Sequence, residues 1–410
     1  MKERTVILAH AGKQHSYQVA KALLELECLE KFYTSSYVSS ALWQRYFLQT
    51  RNTYFSRRFL PGLSGKRVDA NWRFEVKEVL LRKAFGKSKR VQEAVYARDV
   101  AFDQYVARQL RRQPGEIYWG FQGSCYASLQ AARAEGKITL CELATAHVTA
   151  AKRILGEEAR LHPEWADSID NLEFPASYEK RLEEEPLCAD WTIAASDFTR
   201  RSLLEAGVPA DRILVLPLGF DPTRIPFHPK KESDPAAPLK LLYAGTVTQR
   251  KGVKYLLEAM QGIAAKEVEL HVIGGIQGSG KAFRQYERVY TYHPPVAQET
   301  LFEAYGQYDA LVLPTIFEGF GLVIVEALAA GLPVITTSHS TGEALIKNGD
   351  NGYLVPIRDV SALRTAIEAL KEKKATGAYL AMRANARQSV EEYSWLQYQS
   401  RLEALLKTIS

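Results

Sequence analysis

The sequence holds little sulfur and no pattern for using it. Its 410 residues include four cysteines, Cys28, Cys125, Cys141 and Cys188, and no C-x-x-C pair. That spacing excludes a zinc ribbon and a disulfide framework; the thiols read as small buried hydrophobes in a reducing compartment. No His/Cys/Asp cluster has ligand spacing, so neither a metal nor another cofactor is expected. No apolar stretch approaches the ~20 residues that span a bilayer, and the run Val6-Ile7-Leu8-Ala9 is too short for a signal-peptide core. The expected location is the cytosol. Fixed-period repeats and low-complexity tracts are absent too, which excludes solenoids and propellers.

What is present is ordinary in amount and uneven in distribution. Hydrophobic residues make up 46% and charged residues 24%, enough for the cores of two or three domains. The net charge is +6, yet the stretch 42–90 alone carries thirteen Lys/Arg against three Asp/Glu. The rest of the chain is mildly acidic, so a local basic surface is expected, and nucleic acid is not an expected partner. The same stretch is rich in aromatics, among them Trp43, Tyr46, Phe47, Tyr54, Phe55, Phe59, Trp72, Phe74 and Phe85. Three readings stay open for it: a solvated excursion over the core, an acceptor contact, or peripheral contact with the inner face of an anionic membrane.

Short β-branched runs alternate with amphipathic helical patterns along the whole chain, the mark of parallel α/β sheets. Thr5–Ala9, Glu116–Trp119, Ile138–Leu143, Trp191–Ala195 and Ile213–Leu216 read as strands of a first series, and Ser196 as the N-cap of a helix. A proline- and charge-rich linker follows at Pro217–Pro238. Leu239–Ala244, Val268–Ile273, Ala310–Pro314 and Pro333–Thr337 are the clearest strands of a second series, and a last helix lies near Trp395–Lys407. The division is 1–217, 218–390 and 391–410, with the excursion 42–90 inside the first part. Two such domains predict a cleft between them.

The strongest local signal runs from Pro314 to Ala327. A strand ends near Pro314, glycines at 319 and 321 let backbone approach a ligand, and a helix opens around Gly321. The first amides of that helix, at Gly321, Leu322 and Val323, have no intrahelical acceptor and attract a diphosphate. Glu318 before the helix and Glu326 one turn inside it are acceptors suited to paired hydroxyls. A plain well-capped helix is the alternative. A second element, Gly245-Thr246-Val247-Thr248-Gln249-Arg250-Lys251-Gly252, follows a strand and places two cations where they can neutralise a leaving diphosphate. Solvated loop charges are its bland reading.

The run Glu318-Gly319-Phe320-Gly321-Leu322, with Glu326 eight residues after the first glutamate, resembles the C-terminal motif of glycosyltransferase family 4. That resemblance implies a GT-B fold: two Rossmann-like, doubly wound parallel-sheet domains facing a cleft, with the C-terminal helix returning to the first. It implies a retaining hexosyltransferase drawing on a UDP- or GDP-sugar and acting on a glycan, lipid or small-molecule acceptor. Glu318 then meets the donor sugar, Glu326 the ribose, and Lys251 the diphosphate. Where the family often has arginine after the glycine, this chain has Thr246, and Arg250 is expected to supply the charge. The family also places a histidine after the strand ending at Leu143; His147 matches it, expected to open into the cleft toward the donor sugar. Gly12, in the loop His10–His15, matches a glycine-rich loop whose amides face donor phosphate, although Lys13, Gln14 and His15 depart from that pattern. The catalytic set is His147, Lys251 and Glu318; the donor set adds Gly12, Gly245, Arg250, Gly319, Phe320, Gly321, Leu322, Val323 and Glu326.

Gly275–Lys281 fits the spacing of a nucleotide-triphosphate loop, but Ala282 stands where a hydroxyl must ligate magnesium. No D-x-D occurs, so the metal-dependent GT-A architecture is not expected. A nucleotide-sugar epimerase, a sugar-phosphate synthase of the same fold, or a non-catalytic nucleotide-sugar-binding relative remain as alternatives.

Overall fold

The computed structural model describes residues 4–50, 53–63, 65–86, 88–169, 172–227 and 237–409. Thirteen strands form two sheets. In the first domain these are β1 (Val6–His10), β2 (Leu29–Thr34), β3 (Val68–Ala70), β4 (Ile117–Phe121), β5 (Ile138–Leu143), β6 (Trp191–Ala194) and β7 (Ile213–Val215). The second domain has β8 (Leu239–Ala244), β9 (Val268–Ile273), β10 (Thr291–His293), β11 (Ala310–Leu313), β12 (Val334–Thr337) and β13 (Gly352–Val355).

The first sheet runs β3-β2-β1-β4-β5-β6-β7 and the second β10-β9-β8-β11-β12-β13, every pairing parallel. Each order reverses once, between β1 and β4 and between β8 and β11. Helices cover both faces, so β1, β4, β11 and β12 are buried at every residue. This is why they read as continuous apolar runs rather than alternating ones. A doubly wound sheet opens a crevice at the carboxyl end of the strands where its order reverses. The two reversals therefore mark where ligands belong.

The last helix, Trp395–Thr408, returns to the first domain as the family resemblance implied. Its Tyr398, Leu402, Leu405 and Leu406 enter that domain's core beside the helix Ser16–Glu25. The two crossings between domains are laced together: Phe220 N–H donates to Tyr393 O (2.9 Å) and Trp395 N–H to Phe220 O (3.2 Å). A Cβ at Gly219 would lie 2.7 Å from the Trp395 ring, so only glycine lets the chain pass there.

Four strands escaped the sequence reading: β2, β3, β10 and β13. The excursion 42–90 contributes to the sheet itself, because Val68–Ala70 forms its edge beside β2. Phe59 and Leu63 are buried in the first core, with Phe47, Phe55 and Trp72 packed against it. The two glutamates of the stretch explain part of its positive charge. Glu75 pairs with Arg58, and Glu78 with Arg82 (2.6 Å) and Arg98. The helix Ala41–Gln49 buries no residue, and Leu42, Trp43, Tyr46 and Leu48 point outward, Leu42 at 78% exposure. Among the described residues no helix is long and apolar enough to cross a membrane. Cys125 and Cys141, sixteen residues apart, bring their sulfurs to 3.8 Å without a disulfide, and Cys188 is half-buried.

Candidate functional site

The second domain's reversal point is built from two loops that touch. After β8 the chain turns at Gly245 (φ +136°) and enters a single 3-10 turn, Gln249–Lys251. Thr248 caps that turn, its hydroxyl oxygen accepting from Arg250 N–H at 3.3 Å. Gly252 closes it at φ +69°, where a Cβ would sit 1.9 Å from Pro314 O. No side chain fits there, so the turn lies directly against the end of β11. The loop after β11 answers: Ile316 and Phe317 N–H both donate to Arg250 O (2.9 and 3.1 Å), and Arg250 Nη1 donates to Phe317 O (2.9 Å).

These contacts aim the side chains. Lys251 reaches back over Gly245, its Nζ 3.1 Å from where a Cβ would stand. Glu318 Oε2 lies 3.3 Å from Lys251 Nζ and 3.4 Å from Arg250 Nη1. Burial pushes the Glu318 carboxyl up, but the charges of Lys251 and then Arg250 outweigh it and hold the group below the usual glutamate range. Both contacts are ion-pair distances rather than short hydrogen bonds, which leaves them exchangeable for a ligand's anion.

The helix Leu322–Ala329 starts from Gly321 at φ +84°. Its first amides, at Leu322 and Val323, are the ones an α-helix leaves without an internal acceptor. Glu326, one turn in, is half-buried and held at both oxygens, by Gln298 Nε2 (2.9 Å) and the Tyr305 hydroxyl (3.3 Å). Burial raises its carboxyl above the usual range. Phe320 is 3% exposed and packs in the second core, so only its backbone belongs to the loop surface. Gly319 meets the other domain: a Cβ there would stand 2.0 Å from Ala144 O, and Ser196 Oγ donates to Gly319 O at 2.6 Å. Glycine at 319 thus serves a contact between domains.

Two expected residues are placed differently. His147 does not open into the cleft. It is 2% exposed, its N–H donates to Ser202 Oγ (2.8 Å), and its Nδ1 accepts from Thr149 N–H (3.3 Å), capping the helix Val148–Leu161. Burial lowers its pKa, so the ring is a neutral cap. Its position after β5 was read correctly; the direction of the ring follows from the helix that starts beside it. Gly12 likewise turns its amide inward, donating to His10 Nδ1 at 2.6 Å rather than facing the cleft. His10 is held neutral, its pKa lowered to about 3 chiefly by burial. His15 Nε2 meets Glu142 Oε1 at 2.5 Å, and Trp119 Nε1 donates to Glu142 Oε2 at 2.9 Å.

In the segment Gly275–Lys281 the geometry differs from that of a nucleotide-triphosphate loop. Ser279 N–H donates to Asp167 Oδ2 (2.7 Å), and the short helix after it spans four residues. A carboxylate already occupies the amide that would greet an anion.

Sequence reasoning missed the grip of the first domain on the cation turn. Glu158, 0% exposed on the helix Val148–Leu161, accepts from Gln249 Nε2 (2.7 Å), Tyr255 OH (2.8 Å) and Arg358 Nε (2.7 Å). Ser168 Oγ accepts from Gln249 N–H (3.0 Å), and the Thr248 hydroxyl donates to Ser168 O. Ala146, Ala150, Ile154 and Leu155 pack with Tyr255, Ile316 and Phe317 in one cluster across the domains. Nothing local marks Glu158, because its partners lie about 90 to 200 residues away. Among the described residues, no group of His, Cys, Asp or Glu is arranged to hold a metal ion.

Two parallel-sheet Rossmann-like domains, a shared crevice and a returning C-terminal helix define the GT-B fold. Residues 238–373, about a third of the chain, match the family model described as "Glycosyl transferases group 1". The chain is 31% identical over 211 residues to a D-inositol 3-phosphate glycosyltransferase of Xylanimonas cellulosilytica, covering 46% of this chain and 49% of that protein. It is 27% identical over 196 residues to a putative colanic acid biosynthesis glycosyltransferase, WcaL, of Escherichia coli, covering 45% and 48%. The chain thus spans about half the length of the curated relatives it matches. Among solved structures, HepE of Anabaena in complex with UDP and glucose superimposes with a TM-score of 0.64 at 13% identity, covering 99% of this chain and 100% of that one. Sucrose-phosphate synthase of Thermosynechococcus elongatus gives 0.65 at 18% identity, covering 99% of each. At such identities the likeness is one of fold.

Glu158→Ala should cost about 3 kcal/mol of stability, because three donors lose a buried acceptor and Arg358 loses its counter-charge. Thermal or urea unfolding reads this; an unchanged midpoint would show that the domains do not depend on the contact.

Proposed function

We propose that this chain is a retaining hexosyltransferase that uses a UDP- or GDP-type sugar without a metal ion and delivers the sugar to a glycan, lipid or small-molecule acceptor. The observation that carries the reading is the convergence of Lys251, Arg250 and Glu318 beside the start of the helix Leu322–Ala329, where the second sheet reverses. Two cations facing one carboxylate leave the cluster with net positive charge, the sign a departing diphosphate requires.

On donor binding, the diphosphate takes over Lys251 and Arg250 while the helix amides receive its other oxygens. Glu318, released from its ion pairs, accepts from sugar hydroxyls, and Glu326 from the ribose diol. The bond between the anomeric carbon and the phosphate oxygen breaks. The acceptor oxygen bonds that carbon on the same face and passes its proton to the departing phosphate. No side chain is required as a covalent nucleophile. His147, buried as a cap, positions the loop 144–147 under Gly319 in this scheme and does not touch the sugar. The absence of D-x-D supports metal independence.

Lys251→Ala should lower kcat by about 10²–10³-fold with each accepted donor, the loss expected when one preorganised charge is removed. Glu326→Ala should weaken nucleotide binding by about 1–3 kcal/mol. A panel of nucleotide sugars followed by thermal shift and hydrolysis identifies the donor, and EDTA should leave turnover intact. Unchanged UDP and GDP affinity in Glu326→Ala would remove that residue from the site; loss of turnover in EDTA would overturn the metal-free part.

The outward face of the helix Ala41–Gln49, where Trp43 and Tyr46 are exposed within a stretch whose sequence is basic, supports peripheral contact with an anionic membrane. Replacing Trp43 and Tyr46 by serine should lower co-sedimentation with anionic vesicles; equal binding by the variant would refute it.

A further inference from the structure

A cavity of about 470 Å³ lies between the domains and ends at Glu318 and Arg250. Its remaining wall comes almost wholly from the first domain and is apolar, with Tyr96, Leu155, Phe174, Tyr178 and Leu182 prominent. The three aromatic rings form a corner. Tyr96 and Tyr178 stack at 4.4 Å between centroids, and Phe174 lies 5.6 Å from Tyr96.

Two of the polar tips in that wall are engaged elsewhere. Tyr178 OH donates to Asp99 Oδ2 (3.0 Å), and Gln122 Nε2 donates to Leu182 O (2.9 Å). Among the described lining residues Arg250 is the single cation, and it is engaged with Phe317 O and Glu318. A phosphorylated or unmodified sugar entering here would lose water and gain few hydrogen bonds, which is costly. An apolar body would gain from leaving water, and its size suits a space in the ordinary range for small-ligand pockets.

From this arrangement we infer that the acceptor is a hydroxyl compound carried on an apolar aryl or alkyl body. The body fills the aromatic corner and presents its hydroxyl toward the sugar held near Glu318. This rests on the transferase reading for the direction of the hydroxyl; the apolar preference rests on the cavity alone.

The test uses the full chain and four matched probes: a monosaccharide, its phosphate, its phenyl glycoside and its octyl glycoside. Calorimetric binding without nucleotide comes first, then KM with the donor selected above. Both glycosides should bind at least tenfold more tightly than the free sugar and the phosphate, and show a correspondingly lower KM. The ratio between the two glycosides reports whether ring or chain fits better. Leu182→Glu should abolish that advantage while nucleotide affinity holds. Phe174→Ser, at a half-buried loop position, replaces it if the first variant unfolds on heating at a lowered midpoint. Equal affinity for all four probes, or tighter binding of the phosphate, would overturn the inference. So would a variant that weakens nucleotide as much as glycoside, since the cavity would then belong to the donor. Glycoside preference without any nucleotide binding would retain the apolar site and overturn the transferase reading instead.

Discussion

The site depends on one steric fact: two loops that end neighbouring strands lie in direct contact because glycine stands at the crossing. At Gly252 the space for a side chain is already filled by Pro314 O, and at Gly274 by Gly245 O, 1.8 Å from a Cβ position. Backbone can then pair across the gap, with Arg250 O taking two amides from the facing loop. Only this closeness lets Lys251, Arg250 and Glu318 share one small volume. Separated by an extra side chain, the three charges would be solvated individually, and their mutual influence would fall steeply with distance and water.

The cluster is also held from the other domain. Glu158 and Ser168 bond the backbone and side chain of Gln249, the residue before Arg250. The cation turn therefore belongs to the second sheet by connectivity and to the domain interface by bonding. A buried carboxylate with three donors is a demanding contact. It is favourable only while each partner stays in place, which ties the placement of the cations to the relation between the domains. The same segment supplies Trp165 to the second core and Asp167 to the loop at Ser279. One helix and one turn of the first domain thus organise the second domain's side of the cleft.

The first domain's side of the cleft is set by a different balance. The first reversal point turns its polar groups on one another, with His10 bonded to Gly12 and His15 to Glu142. The open space beside it is walled by aromatic and aliphatic side chains. Ionic character gathers at the end of the cavity formed by the second domain, and apolar character fills the rest.

Much of the architecture was legible because buried parallel strands announce themselves as apolar runs and helices as periodic ones. The two-domain division and the loops carrying Glu318 and Lys251 follow from patterns within about fifteen residues, whereas the return of the last helix was what the family resemblance implied. β2, β3, β10 and β13 went unread: they lack a continuous apolar run, carrying Glu30 and Lys31, Asp69, Thr291 and His293, and Gly352 respectively. The direction of the His147 ring, the inward amide of Gly12 and the role of Glu158 could not be read from local spacing. The role of Glu158 depends on Gln249, Tyr255 and Arg358, brought from far along the chain, whereas the His147 ring and the Gly12 amide turn on partners two residues away, Thr149 and His10, whose placement only the folded backbone sets. Chain periodicity records which face of an element is buried, whereas hydrogen-bond partners distant in sequence exist only after the sheets have packed.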